Sequence, residues 1–119
     1  MSTTIGLVGC GRWGVNHYRV LSSLRARGFV DRVVICDIDS STFHGLDADE
    51  TYTSLQSMIK NETLSGVAVV TPPSTHLELA GIVLAENVPL LLEKPLAGEN
   101  QYLVKGRYEA PGAAVLYCF

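Results

Sequence analysis

The residues best suited to chemistry fall in four short groups. Gly9-Cys10-Gly11-Arg12-Trp13-Gly14 spells G-x-G-x-x-G directly after the apolar run Ile5 to Val8. Asp37 ends a second apolar run, Thr71-Pro72-Pro73 with His76 ends a third, and Glu93-Lys94-Pro95 ends a fourth. In the first group, Gly9 permits a sharp turn out of a strand, Gly11 leaves the backbone bare for close approach of a pyrophosphate, and Gly14 lets a helix pack against the sheet. The unpaired N–H groups and positive dipole end of that helix favour an anion. The same glycines also serve plain structural turns, so the motif alone leaves both readings open.

Asp37 follows the motif at close to the ~20-residue offset at which a carboxylate accepts hydrogen bonds from an adenosine ribose. Its alternative is a solvated strand-end Asp, or an N-cap for Ser40 to Gly45. A carboxylate here repels a 2′-phosphate, and Ile38-Asp39-Ser40-Ser41 carries no Arg or Lys to neutralise one. The position therefore favours NAD over NADP. His76 either faces a ligand or caps a helix with its ring in solvent. The Glu93-Lys94 pair stands at the C-terminal end of a strand, where open α/β sheets bind ligands, and burial of such a pair must be offset by pairing or function.

These residues need strands and helices to hold them. Arg32 to Asp37, Gly66 to Thr71 and Pro89 to Pro95 are short, apolar on both faces and rich in branched side chains, as parallel strands covered by helices are. Tyr18, Leu21 and Leu24 fall at helical spacing after the glycines, giving a helix that ends near Gly28. Thr53 to Gln56 has the spacing of a capping box for a short helix through Met58 and Ile59, and Asn61 to Thr63 is its exit. Thr75 and Glu78 have the same spacing before a helix to about Glu86, apolar nearly all round and therefore expected to be deeply buried. Leu46 to Tyr52 is either a loop or an edge strand. Glu99 to Ala110 reads as a weak helix and Gly112 to Phe119 as a last strand. The fold class is α/β: a Rossmann-like, doubly wound, mostly parallel sheet with helices on both faces, forming one domain over residues 1–119.

Composition agrees with that class and excludes others. The 119 residues are 47% hydrophobic and 18% charged, with a net charge of −3, which suits a packed domain and offers no basic surface to nucleic acid. No apolar stretch reaches the ~20 residues of a membrane span, and Met1 to Thr4 does not resemble a secretory leader. Cys10, Cys36 and Cys118 lack metal-ligand spacing, so no metal site is expected, and they are read as thiols of a reducing cytoplasm. Cys10 lies at the glycine turn, where it is either a reactive thiol tuned by the helix N-terminus or simply a small residue that fits.

Taken together and in order, the glycine motif, Asp37, Thr71-Pro72-Pro73 with His76, and Glu93-Lys94-Pro95-Leu96-Ala97 resemble the N-terminal domain of the glucose-fructose oxidoreductase / inositol dehydrogenase / MocA family. The resemblance covers nearly the whole chain. It implies pyrophosphate contacts at Gly11, Arg12 and Trp13, with Gly9 and Gly14 completing the cofactor-binding turn, and a ribose contact at Asp37. It also implies cofactor contacts at Thr71, Pro72, Pro73, His76 and Glu93, with Lys94 acting on the substrate hydroxyl. Members of that family carry a further C-terminal domain holding the substrate pocket and the main dimer surface. Three functional readings follow. The chain is the NAD-binding part of a sugar or polyol dehydrogenase completed by a partner or further domain, a stand-alone nucleotide-binding module that senses redox state, or a scaffold that keeps its glycines for folding. A homodimer is expected through the apolar last strand.

Overall fold

The structure, a computed structural model, describes residues 2–93 and the backbone of a strand at 116–118. Six strands run β1 (Thr4–Val8), β2 (Arg32–Cys36), β3 (Glu50–Tyr52), β4 (Gly66–Val69), β5 (Leu90–Leu92) and β6 (Leu116–Cys118). Among the described residues three α-helices lie between the strands: α1 (Arg12–Ala26), α2 (Leu55–Asn61) and α3 (His76–Ala85). The sheet order is β3-β2-β1-β4-β5-β6, and every pairing is parallel. The chain leaves β1 in one direction towards β2 and β3, then returns beside β1 as β4. The order therefore reverses between β1 and β4, the place where open parallel sheets form a crevice.

Strand alternation divides the core into two layers. Leu7, Val33, Ile35 and Ala68 point to the α1 side, where they pack with Tyr18, Val30, Leu21 and Leu24. Val8, Val34, Val67, Val69, Leu90 and Leu92 point to the other side and meet Leu55, Met58, Ala80, Val83 and Leu84 of α2 and α3. The doubly wound arrangement thus follows from which neighbours each strand residue faces. Among the described residues no helix is long and apolar enough to cross a membrane.

Several local expectations are refined. Residues 46–52 contain a short edge strand, β3, paired with β2. The cap of α2 is Ser54, whose Oγ accepts from Ser57 N–H, one residue later than the Thr53 spacing implied. No capping box opens α3: Thr75 makes no side-chain cap there, because its hydroxyl is turned back to the Pro72 carbonyl. Nor is α3 deeply buried all round; Leu77, Leu79 and Ile82 are half-exposed. Leu91 keeps 36% of its surface exposed, so β5 is buried on one face and open on the other. The helix expected over 99–110 and most of the last strand lie outside the described residues.

Candidate nucleotide-binding cleft

The loop after β1 is held by backbone hydrogen bonds from both sides. Gly9 N–H donates to the Cys36 carbonyl at 2.8 Å, and Val70 N–H donates to the Val8 carbonyl at 2.8 Å. Gly9 adopts φ +99°, and a Cβ on it would stand 2.9 Å from the Val70 carbonyl carbon and oxygen. Both its conformation and its surroundings therefore require glycine. Gly14 is constrained differently from the sequence expectation. A Cβ there would fall 1.9 Å from the Gly9 carbonyl oxygen, so the helix packs onto its own loop at this point rather than onto the sheet.

Gly11 has neither constraint. Its φ of −75° is open to any residue, and a Cβ would meet no atom within 4 Å. Packing among the described residues gives no reason for glycine here, whereas a ligand lying against the loop would. Gly11 also serves as N-cap of α1 without a side chain, and no acidic residue occupies the first turn. The first-turn N–H groups consequently face outward with the positive end of the helix dipole.

Asp37 sits just past β2 and is tied to the glycine loop. Its Oδ2 accepts from Cys10 N–H at 2.8 Å, and its Oδ1 accepts from Asp39 N–H at 2.9 Å. Asp39, not Asp37, caps the following 3₁₀ turn, Ser40–Phe43. The Ser41 hydroxyl and N–H hold the Asp39 carboxyl below the usual range, which keeps a second negative charge beside Asp37. A carboxylate has about four acceptor sites, so Asp37 can brace the loop and still accept from ligand hydroxyls.

The turn after β4 is equally organised. Thr75 Oγ1 donates to the Pro72 carbonyl at 2.7 Å, so its lone pairs are left to receive Thr71 Oγ1 at 2.6 Å. His76 Nε2 lies 2.8 Å from the Thr71 carbonyl, which can only accept, and therefore carries the proton. His76 is 1% exposed. The solvated capping role considered from sequence is thus excluded; the ring lies beneath the turn and braces it.

Cys10 is not a reactive thiol. It is 2% exposed, and burial, reinforced by the Asp37 charge, pushes its thiol up to about 12. Burial likewise pushes Cys36 up to about 11. The helix N-terminus does not overcome that desolvation, and Cys10 serves as a small residue that fits the turn. Among the described residues no group of three or more His, Cys, Asp or Glu side chains could hold a metal.

Glu93 follows β5 directly and is joined to α1. His17 Nε2 lies 3.2 Å from Glu93 Oε2. Sequence reasoning did not single out His17, since its partner is 76 residues away. Lys94 lies outside the described residues.

These loops converge on one cleft of about 1140 Å³, above the ~300–1,000 Å³ of ordinary small-ligand pockets. Gly9, Gly11, Arg12, Trp13, Asp37, Thr71, Pro72, Pro73, His76 and Glu93 all line it, together with Leu55, Leu79 and Ile82. The partial exposure of α3 is thereby explained, because Leu79 and Ile82 face the cleft. Of the described residues expected to bind the cofactor, Gly14 alone is set back from its wall, in the role given above.

A glycine-rich turn, an acidic strand end and a long cleft at the reversal point of a parallel sheet define a Rossmann-type nucleotide-binding domain. The chain belongs to the Gfo/Idh/MocA oxidoreductase family, whose model, described as having an NAD-binding Rossmann fold, matches residues 3–105. It is 33% identical over 103 residues to an inositol 2-dehydrogenase of Ralstonia nicotianae, covering 82% of this chain and 30% of that protein. It is 30% identical over 93 residues to the rhizopine catabolism protein MocA of Rhizobium meliloti, covering 76% and 28%. Among solved structures, myo-inositol 2-dehydrogenase from Lactobacillus plantarum superposes with a TM-score of 0.71 at 27% identity, covering 82% of this chain and 29% of that one. The WlbA dehydrogenase from Bordetella pertussis, in complex with NADH and UDP-GlcNAcA, superposes with a TM-score of 0.70 at 26% identity, covering 82% and 30%. The chain thus spans less than a third of the length of these relatives.

Proposed function

We propose that the cleft binds NAD(H) in preference to NADP, and that the chain is the cofactor-binding part of a dehydrogenase acting on a sugar or polyol hydroxyl. The observation that carries the binding claim is Gly11: a glycine whose Cβ direction is empty, set in a cleft wall between Asp37 and the Thr71 turn. The backbone N–H groups of Arg12 and Trp13 take the pyrophosphate at the start of α1. Asp37 accepts the adenosine ribose hydroxyls and, with Asp39, opposes a 2′-phosphate. Thr71, Pro72, Pro73 and His76 form the wall along the dinucleotide, and Glu93 meets the nicotinamide ribose.

Bound NAD supplies a hydride acceptor for oxidation of an alcohol carbon. The chain's own part in that chemistry is to orient the dinucleotide and, through Lys94, to take the hydroxyl proton. A partner protein or further domain completes the substrate pocket, since a hydride acceptor needs a substrate fixed at near-attack distance. The outer edge of β6, unpaired among the described residues, is where a second copy would add to the sheet. Calorimetric titration of NAD and NADP into wild type and Asp37→Ala tests the assignment. Tighter binding of NAD by wild type, lost in the variant, is expected; unchanged NAD affinity in Asp37→Ala refutes the ribose role. Saturable binding without turnover on a polyol panel, even with candidate partners, favours the sensor module.

A further inference from the structure

The cleft has two ends, and they are built differently. At the Asp37 end the supporting contacts are local or backbone-made: Asp37 to Cys10 N–H, Asp37 to Asp39 N–H, and Asp39 to Ser41. At the other end Glu93 follows a strand of three residues whose outer face is open at Leu91. Its backbone is anchored by Glu93 N–H donating to the Val69 carbonyl at 3.1 Å. Its carboxylate is held by a side chain from the helix that begins in the glycine loop, His17, at 3.2 Å. A carboxylate can only accept, so His17 Nε2 donates. His17 stands one turn beyond Trp13, on the same helix whose first turn lines the cleft. The contact therefore fixes the spacing between the pyrophosphate-facing loop and the far end of the cleft. With side chains 21% and 30% exposed, the pair is sheltered enough for the bond to fix geometry.

We propose that His17 is a positioning residue that holds the Glu93 carboxylate at the nicotinamide end of the cleft, so that the chain binds a whole dinucleotide more tightly than its adenosine half. The inference rests on the reading of the cleft as a dinucleotide site. Without His17 the Glu93 side chain regains its rotamers, and the ribose hydroxyl it would accept from must order it again at the moment of binding. ADP, which ends at the pyrophosphate, does not reach Glu93. The effect of removing His17 is thus confined to one ligand of the two.

The test is parallel titration of NADH and ADP into the full chain as wild type, His17→Leu and His17→Gln. Loss of one charge-assisted hydrogen bond in a half-sheltered site is expected to weaken NADH about tenfold in His17→Leu. ADP affinity should change by less than about twofold. Gln, whose amide also donates, should recover most of the loss. If Leu at this position prevents folding, His17→Ala replaces it in the same titration. Equal weakening of NADH and ADP would mean that His17 supports the loop as a whole, and unchanged NADH affinity would mean that it positions nothing; either overturns the inference. A wild-type chain that binds ADP but gains nothing from the rest of NADH overturns it too. If wild type binds neither ligand, the dinucleotide reading of the cleft fails, and the inference with it.

Discussion

Replacing Gly11 with Ala separates what the fold needs from what the ligand needs. The new Cβ would meet nothing within 4 Å, and φ at this residue is −75°. The folded state consequently gains no clash. Alanine is a poorer N-cap than glycine but loses less entropy on folding, two opposed effects of about 0.5–1 kcal/mol each. Stability is expected to stay within about 1 kcal/mol of wild type. A methyl on the cleft wall does, however, stand between the loop backbone and a pyrophosphate. Forfeiting one charge-assisted hydrogen bond costs about 1.5–3 kcal/mol, or roughly ten- to a hundredfold in NADH affinity. Gly14→Ala gives the opposite result. Its Cβ would stand 1.9 Å from the Gly9 carbonyl oxygen, where both partners are backbone, so relief requires moving the loop or the helix. A loss of about 3 kcal/mol or more is expected. Denaturant melts and NADH titrations of the two variants check both halves. A Gly11→Ala protein that melts like wild type and binds NADH like wild type would refute the pyrophosphate assignment.

Other consequences concern groups away from the phosphate site. Because burial raises the Cys10 and Cys36 thiols to about 12 and 11, iodoacetamide at pH 8 should label neither in the native chain and both after denaturation. Mass spectrometry of the digests reads this directly, and rapid native labelling of Cys10 would restore the reactive-thiol reading. Hydrogen bonds from Arg32 at 3.0 and 3.1 Å hold the Glu62 carboxyl below its ordinary range, with Tyr52 donating to the same group. A depressed folded value means that this contribution is present above the ordinary Glu range, ~4.3, and is lost as pH falls below it towards the folded value. Glu62→Gln should cost about 1 kcal/mol at pH 7 and flatten the acid limb of the stability curve; an unchanged limb would contradict the assignment. Light scattering at high concentration should report a dimer, and a monomer would argue against pairing through β6.

Much of the framework was legible because local chemistry enforced it. The glycine loop, the α1 face through Tyr18, Leu21 and Leu24, and the strand ends at Asp37, Thr71 and Glu93 all appear where the pattern placed them. In a doubly wound sheet these ends must gather at one side, so the cleft could be anticipated without a single measured distance. What escaped was non-local or competitive. The His17 to Glu93 contact joins residues from opposite ends of the described chain. The Thr75 hydroxyl could cap α3 or bond the Pro72 carbonyl, and only the turn geometry decides between them. His76 carries a polar ring that sequence logic sends to solvent, yet the Thr71 carbonyl supplies the partner that makes its burial tolerable. For Cys10, two opposed influences act at one atom, and burial within the α1-side core, reinforced by the Asp37 charge, outweighs the helix dipole. Lys94, the proposed proton acceptor, lies outside the described residues.

NAD(H) binding in this cleft has a built-in reporter. Trp13 is the one tryptophan of the sequence, is 67% exposed, and stands on the cleft wall in the first turn of α1. Titration with NADH should quench its emission saturably at one equivalent per chain and raise the melting temperature. Fluorescence and melting temperature that both stay unchanged up to millimolar NADH would contradict the claim.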